Sequence, residues 1–493
     1  MTKHRAQTYS VDINSIARRS VTEAGFEPDF GDELRRQVQA IAADPPITKP
    51  DDSVRDLRNL LWSSIDNRDS RDLDQLEYAE TLPGGDTRLL VAIADVDAFV
   101  PKGSAIDQRA GANTASVYTG VRTFPMLPEE LSTDLTSLIP DHDRLAVVTE
   151  IVLTADGEVK KTDIYRAVVR SQAKLAYEPV GAWLDGKGDV PQKVAEIHGL
   201  EAQIKLQFEI SKRLGQLRAQ QGALELGTIQ ANPVVNDQGK VTELELVEDN
   251  GARELIANFM ITTNVAMAKF LEAAGRSSLR RVVRTPKYWS RIVEIAEDLG
   301  EKLPASPDSQ ALAKFLQHQK AADPIHFPDL SLAVVKSLGP GEYTVETAGS
   351  EGEGHFGLAV QDYTHSTAPN RRYPDLITQR LVKAALDNKP APYSDAELMA
   401  IAEHSNQRGE AARKVERKMR KVAAAVLLQD KIGQEFKAIV TGATEKGTFA
   451  RLISPPVDGR VMRGERGLRV GDKTRVRLVA TDPERGYIDF ARV

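Results

Sequence analysis

Between Ile65 and Glu77 the chain places Asp66, Asp69, Asp72, Asp74 and Glu77 within one short stretch. At neutral pH these carboxylates repel one another, so the segment is either a solvated surface loop or a site that a cation holds together. The flanks favour the second. Leu60-Leu61-Trp62 precedes the run, and Leu89-Leu90-Val91-Ala92-Ile93-Ala94 follows it, an unbroken apolar stretch that reads as a buried central strand ending at Asp95. Carboxylates beside a buried strand must be paired, protonated or bound to a cation. Hard oxygen ligands suit Mg²⁺ or Mn²⁺, ions that keep several waters and bridge to phosphate oxygens. A calcium loop of the EF-hand type is excluded, because no register from Asp66, Asp69 or Asp72 puts glycine at the sixth position.

A second block with chemical potential runs from His355-Phe356-Gly357-Leu358-Ala359 through Tyr363-Thr364-His365 to Arg371-Arg372-Tyr373-Pro374-Asp375-Leu376. Pro374 and Asp375 mark a helix start, with Ile377, Leu381, Ala384 and Ala385 on its buried stripe. Arg371 and Arg372 therefore stand just ahead of a helix N-terminus, where guanidinium and backbone N–H groups can converge on phosphate. A structural ion pair is the alternative use of Arg371.

The remaining elements must position these blocks. Residues 1–50 read as two helices, Val11–Ala24 and Phe30–Ala43, joined at Gly25-Phe26-Glu27-Pro28 and broken at Pro45-Pro46 and Pro50. Such a pair either docks on nucleic acid as a helix-turn-helix or packs on the next domain. Asp156-Gly157 predicts a hairpin between Leu145–Thr154 and Val159–Arg166. Glu201–Leu217 and Glu254–Ala274 read as helices, the second with a stripe at Leu255, Phe259, Thr262, Val265, Ala266 and Phe270. The arginines and lysine spread over Arg276–Arg291 read as a solvated face or a support for a polyanion. A further helix spans about Asp395–Asp430, with Val415, Met419, Val422 and Val426 inward and a lysine- and arginine-rich side outward.

At 493 residues with 41% apolar content, the chain can bury one large core plus appendages. It has no cysteine, which excludes disulfides, iron–sulfur clusters, zinc-thiolate sites and thiol nucleophiles. No apolar run reaches the ~20 residues of a membrane span, and the amino terminus lacks a signal-peptide core. A cytoplasmic protein is expected, and with no heptad repeat, a monomer. The net charge of −6 does not decide against a polyanionic partner, since binding depends on local patches.

Together these blocks resemble the ribonuclease II / ribonuclease R (RNB) family of hydrolytic 3′-to-5′ exoribonucleases. The resemblance covers roughly Val54 to the carboxyl terminus. It rests on four ordered segments: Ile65-Asp66 through Asp72-Leu73-Asp74, Val91-Ala92-Ile93-Ala94-Asp95-Val96, Phe124-Pro125-Met126-Leu127-Pro128, and the His355 to Leu376 block. It implies an α+β (mixed α/β) catalytic domain at 51–431, preceded by a small helical region at 1–50. By that resemblance Asp66, Asp72 and Asp74 are metal-site aspartates, with Gln75 at a fourth ligand position. Asp74 and Arg371 carry the catalysis, Tyr118 and Tyr177 stack on terminal bases, and Glu416 and Arg372 lie against the terminal nucleotides. The implied cofactor is Mg²⁺ or Mn²⁺ and the implied partner is single-stranded RNA with a free 3′ end. Taken alone, either tyrosine is an ordinary core or rim residue.

The tail at 432–493 resembles an S1-type OB-fold, with Lys437, Phe449 and Arg451 as its RNA-facing residues and Phe436 inclined to the core. A full family member carries two cold-shock-type OB domains ahead of the catalytic domain. The first fifty residues are too short for them, and the helical pair is expected to take part of their role. Two departures stand out. The family's motif ends in adjacent aspartates where this chain has Asp74-Gln75, which weakens one cation position. Two adjacent glutamates give way to Ala257-Asn258 before Phe259-Met260, which removes a nucleotide contact. Both favour a rival reading, an RNA-binding relative that has lost the chemistry; retention of Asp66, Asp72, Asp74 and Arg371 opposes it. Residue types alone leave DNA open as the substrate.

Overall fold

The computed structural model describes residues 12–46, 53–227, 230–236, 241–324, 326–350, 352–444 and 447–493. The expected helix start at Val11 and the break at Pro50 lie outside them. The first two helices are α1 (Ile13–Glu23) and α2 (Asp32–Ala43). Asp12 caps α1 by accepting from the Ser15 N–H at 3.1 Å. The second helix begins at Asp32 rather than Phe30, because Gly31 is extended and Asp32 and Glu33 supply the acidic first turn that a helix N-terminus favours.

A six-stranded sheet forms the body. Its strands are β1 (Val54–Asp56), β2 (Trp62–Asp66), β3 (Gln75–Thr81), β4 (Thr87–Ala94), β7 (Asp143–Leu153) and β8 (Val159–Ala176), in the order β1-β8-β2-β3-β4-β7. Between β4 and β7 lie α3 (Ala105–Asn113) and a small hairpin of β5 (Val117–Tyr118) and β6 (Thr123–Phe124). As its sequence requires, β4 is buried on both faces: Leu90, Ala92 and Ala94 enter one core, and Leu89, Val91 and Ile93 the other. The β7–β8 turn has Gly157 at φ 88°, as Asp-Gly predicts. Strand β8 runs ten residues past the expected end at Arg166, because its far half pairs in parallel with β1 and β2. That extension sets Asp66 beside Ala176 and so next to Tyr177.

One face of the sheet carries α4 (Tyr177–Leu184), α5 (Gln192–Glu196), α6 (Leu200–Gln220) and, after the ribbon of β9 (Gln230–Val235) and β10 (Val241–Val247), α7 (Gly251–Ala273). A satellite of α8 (Trp289–Asp298), α9 (Ser309–Ala322) and α10 (Phe327–Leu338) packs around Phe315 and Phe327. Only part of the basic run is solvated: Arg284, Lys287 and Arg291 are exposed, while the centre is buried. Its centre is β11 (Ser278–Val282), paired with β12 (Glu342–Glu346), and Arg280 is buried against Glu346 at 2.6 Å. Arg284 and Arg291 are ion-paired to nearby glutamates.

On the other face lies α11 (Tyr373–Leu386), which starts where Pro374 predicts. Its Arg380 reaches Asp107 at 2.7 Å, Asp97 at 2.9 Å and the Tyr393 hydroxyl at 2.7 Å, all enclosed. This network ties the helix to the loop after β4 and so fixes the residues just ahead of it. An Arg380→Met change strands Asp107 in the core and is expected to cost about 3–5 kcal/mol of unfolding free energy, measurable by a denaturant melt. The 34-residue α12 (Asp395–Leu428) begins with a Ser394/Glu397 capping box and spans the molecule. Ile13, Ile16, Ala17 and Val21 of α1 pack on its Val415, Met419 and Val422, so the apolar stripe of α1 is spent on packing.

The tail folds as a closed five-stranded barrel of β13 (Glu435–Thr444), β14 (Gly447–Leu452), β15 (Asp458–Arg463), β16 (Lys473–Asp482) and β17 (Tyr487–Arg492), in the order β13-β14-β15-β17-β16. Its core of Val440, Leu452, Val476, Leu478 and Phe490 continues into Ala425 and Leu428 of α12, with Phe436 packed against it as expected. The fold is therefore the mixed α/β body with a terminal OB-like barrel that the sequence implies. Among the described residues, no helix is long and apolar enough to cross a membrane.

Candidate active site

The acidic run occupies the end of β2 and the loop into β3. Asp66 ends its strand half-buried, with Oδ1 accepting from the Asn67 N–H at 2.7 Å and the Ser70 hydroxyl at 2.8 Å. Burial raises its pKa, which those two donors and Arg371 only partly offset. Asp74 lies deepest, 2% exposed. One of its oxygens accepts from the Asn370 N–H at 3.0 Å and the other from Arg371 Nε at 3.2 Å. Burial pushes its carboxyl up to about 7, with Arg371 pulling the other way and Asp72 adding to the rise. Asp72 accepts from the Tyr118 hydroxyl at 3.2 Å.

Arg371 is the centre of this arrangement. The loop from His355 ends at α11, and the Arg380 network anchors the helix that follows, so the guanidinium reaches the acidic loop from across the molecule. Its side chain stays 43% exposed, with Asp66, Asp72 and Asp74 all within the range of its charge. Arg372 bonds Asp375 at 2.6 Å and also lines the cavity beside Arg371, so it braces the helix start while Arg371 meets the acidic loop.

Tyr118 lies against Asp72, and Tyr177 follows the Ala176 that pairs with Asp66. Tyr118 is 40% exposed, and its backbone N–H donates to Glu416 of α12 at 3.3 Å. Tyr177, first residue of α4, is half-buried under the Arg253 guanidinium, 4.4 Å from its ring centre. Between Tyr118, Arg371 and α12 opens a cavity of about 260 Å³, also lined by Arg281, Tyr343, His365 and Arg413. Arg281 lies over the Tyr343 ring at 4.7 Å, and the Tyr343 hydroxyl meets His365 Nδ1 at 2.8 Å. Burial and the surrounding arginines hold His365 neutral. Sequence reasoning gave Arg281 only the shared alternative of its basic run, a solvated face or a support for a polyanion, and assigned no role to Tyr343 or Asn370, which carry no local signal.

The sites on the barrel are less concentrated. Lys437 is exposed on β13 and Phe449 half-buried on β14, while Arg451 is 14% exposed and ion-paired to Asp329 of α10 at 3.0 Å. Arg451 therefore fastens the barrel to the body. The Ala257-Asn258 departure also has a structural use. Asn258 is buried on α7 and donates to the Ser211 hydroxyl at 2.8 Å, while Arg218 bonds its amide oxygen, stapling α7 to α6.

The donor set suits a hard divalent cation. Asp66, Asp72 and Asp74 supply only oxygens, and two of the three sit in surroundings that raise their pKa, which is where a cation replaces a proton. Each of the three accepts from a different donor, Asp66 from Ser70, Asp72 from Tyr118 and Asp74 from Arg371. Among the described residues, the acidic trio whose oxygens lie within 4.8 Å of one another is instead exposed Glu272, buried Glu346 and half-buried Asp362, beside the Arg280 pair. Gln75 is 7% exposed and opens β3 opposite Ile93.

The RNB domain model matches residues 54–388, and the model of the RNase II-type exonuclease C-terminal S1 domain matches 434–493. Ribonuclease R of Escherichia coli (strain K12) is 30% identical over 474 residues, 89% of this chain and 57% of the relative. Ribonuclease R of Aquifex aeolicus is 30% identical over 492 residues, 94% of this chain and 68% of the relative. The chain thus spans little more than half the length of some of the curated relatives it matches, 59% for Ribonuclease R 1 of Lactococcus lactis. In fold it is similar to Mycoplasma genitalium RNase R in complex with ribose-methylated single-stranded RNA, with a TM-score of 0.87, 24% identity, and 98% and 78% of the two chains covered. It is also similar to yeast Ssd1, described as a pseudonuclease, with a TM-score of 0.66, 16% identity, and 83% and 50% covered. With the family model spanning most of the sheet and α11, and the S1 model covering the barrel, the chain belongs to the RNB family, the ribonuclease II-type proteins.

Proposed function

We propose that the chain is a processive hydrolytic 3′-to-5′ exoribonuclease that takes single-stranded RNA with a free 3′ end to 5′-mononucleotides, using Mg²⁺ or Mn²⁺. The observation that carries this reading is the contact between Arg371 and Asp74, 297 positions apart in sequence and joined beside two further aspartates. An acid whose carboxyl rests near neutrality, next to a fixed guanidinium that faces the cleft, matches what phosphodiester hydrolysis asks of a protein.

Asp66 and Asp72 would hold the cation, with Gln75 contributing a neutral oxygen. The bound ion supplies charge neutralisation at the phosphate and a more acidic water. Asp74 would bind it too and orient the attacking water, and Arg371 would stabilise the negative charge that gathers on the non-bridging oxygens. Tyr118 stacks on a terminal base from the cavity side and Tyr177 from the β8 side, contacts that tolerate any base. Glu416 holds the Tyr118 backbone at the cavity mouth. Lys437 and Phe449 offer RNA a surface on the barrel.

The binding-only reading has a specific observation in its favour, the neutral Gln75 where a carboxylate is expected. One experiment separates the two. RNA labelled at either end is incubated with the protein in Mg²⁺, in Mn²⁺ and in EDTA, beside DNA of the same sequence. Mononucleotides released from the 3′ end, dependent on metal and on RNA, are the expected result. Bound but undegraded RNA in both metals would establish the binding-only reading instead.

A further inference from the structure

The cavity between Tyr118, Arg371 and α12 is lined by four guanidinium groups, those of Arg281, Arg371, Arg372 and Arg413, against one carboxylate, that of Glu416. Two of the four are already paired, Arg371 with Asp74 and Arg372 with Asp375. Among the described residues, neither Arg281 nor Arg413 is ion-paired. Arg281 stands on β11, its backbone N–H donating to the Tyr363 carbonyl at 2.8 Å and its guanidinium lying over the Tyr343 ring. Asn406 of α12 holds Tyr343 in turn, bonding its N–H at 2.7 Å and its carbonyl at 2.8 Å. Gly341 leaves the space that the guanidinium takes, since a Cβ there would stand 2.9 Å from Nη2. Arg413 reaches the cavity from the exposed side of α12, one turn before Glu416.

Like charges that converge on one partly enclosed space repel, and an anion between them relieves the repulsion. Arginine forks match phosphate oxygens in particular. Which phosphate this is follows from the nucleotide in the cavity. A volume of about 260 Å³ leaves room for a single nucleotide rather than a strand. On the hydrolytic reading Tyr118 stacks on the terminal base, and the 5′ phosphate of that nucleotide is the scissile one, at Arg371. A second phosphate in the same cavity is then carried on the 3′ side of the terminal nucleotide.

We propose that Arg281, with Arg413 at the rim, forms a binding position for the terminal phosphate of RNA that ends in a 3′-phosphate. This rests on the hydrolytic reading of the site and extends its substrates beyond strands with a 3′-hydroxyl. In the first turnover water adds its oxygen to the scissile phosphorus. The bond from phosphorus to the 3′ oxygen of the preceding nucleotide breaks, and that oxygen takes the proton. The terminal unit leaves as a nucleoside 3′,5′-bisphosphate. The shortened strand ends in a 3′-hydroxyl, so the contact acts in the first turnover alone.

Two RNAs of one sequence, ending in a 3′-phosphate or a 3′-hydroxyl and labelled in the terminal nucleotide, test this in a single-turnover assay. Wild type is expected to release the label from both, from the first as the bisphosphate. In Arg281→Gln the rate on the 3′-phosphate strand, relative to that on the 3′-hydroxyl strand, should fall by roughly tenfold or more, and Arg281→Lys should recover part of it. A wild type that stalls on the 3′-phosphate, or a ratio unchanged in Arg281→Gln, would overturn the proposal and leave Arg281 as a packing partner of Tyr343. Calorimetry in EDTA adds a readout apart from activity: uridine 3′,5′-bisphosphate should bind wild type roughly tenfold tighter than uridine 5′-monophosphate, and Arg281→Gln should erase the difference. If that variant fails to fold by circular dichroism, the wild-type comparison decides, and equal affinities count against the proposal. The two levels separate cleanly. Preference for the bisphosphate with no release from either RNA in Mg²⁺ or Mn²⁺ supports the phosphate position and sinks the hydrolytic reading, whereas release from the 3′-hydroxyl strand without that preference sinks the phosphate position alone.

Discussion

Replacing Asp74 by asparagine is expected to slow mononucleotide release by at least roughly 10³-fold while leaving RNA bound. The substitution keeps the volume and one acceptor for the Asn370 N–H. It removes the charge that pairs with Arg371 and that a cation needs. Measured by single turnover of 3′-labelled RNA beside a filter-binding Kd, the result should be a rate collapse with affinity for RNA within a few-fold of wild type. A rate within tenfold of wild type would remove Asp74 from the chemistry.

The same variant has a signature in stability. Asp74 titrates at about 7 in the folded chain against 3.8 in its ordinary state, so the folded form holds a proton that the unfolded form has released. The stability this contributes is complete below pH 3.8 and is lost as the pH rises to about 7. In EDTA the wild type should therefore lose a few kcal/mol across that window, and the Asp74→Asn variant should lack that component of the slope. Above neutrality a divalent ion is expected to take the place of the proton. Affinity for Mn²⁺ should accordingly decline as the pH drops below about 7, since ion and proton compete for one carboxylate.

Arg371→Lys is expected to lower the rate by about 10²–10³-fold, with little rescue from the retained charge. A lysine places one compact ammonium where the guanidinium offers a planar fork, and it cannot hold Asp74 and reach a phosphate together. The effect should fall on the rate of the chemical step more than on RNA affinity, because charge builds on the non-bridging oxygens only as the bond breaks. If the variant loses thermal stability but keeps its rate, Arg371 is the structural ion pair that the local sequence also allows.

Much of the frame was legible from local pattern. The double-sided burial of β4 follows from its unbroken apolar run, the β7–β8 turn from Asp156-Gly157, the α11 start from Pro374, and the α12 stripe from Val415, Met419 and Val422. These are short-range matters in which a few neighbouring residues settle backbone and burial. The length of β8 was not legible, because its second half is held by β1 and β2, strands that precede it by about a hundred residues. Arg280 and Arg451 were misjudged as outward-facing for a related reason. Each is neutralised by a carboxylate distant in sequence, Glu346 and Asp329 respectively, which no window around the arginine contains.

Sequence alone determined that a run of carboxylates stands beside a buried strand and that a guanidinium precedes a helix start at Arg371; the metal-site roles of Asp66, Asp72 and Asp74, and the amide at a fourth position, come from the family resemblance. Residue types and their spacing are sufficient for the first two. Only the tertiary structure decided that Arg371 meets the acids, that the Asn370 N–H holds Asp74, that Arg281 and Tyr343 help line the cavity beside Arg371, and that a carboxylate with no partner lies two positions beyond Gln75. Side-chain direction, enclosure and the absence of a donor are properties of what surrounds a residue, and at this site the surroundings come from β2, β3, β8, α11 and α12 at once.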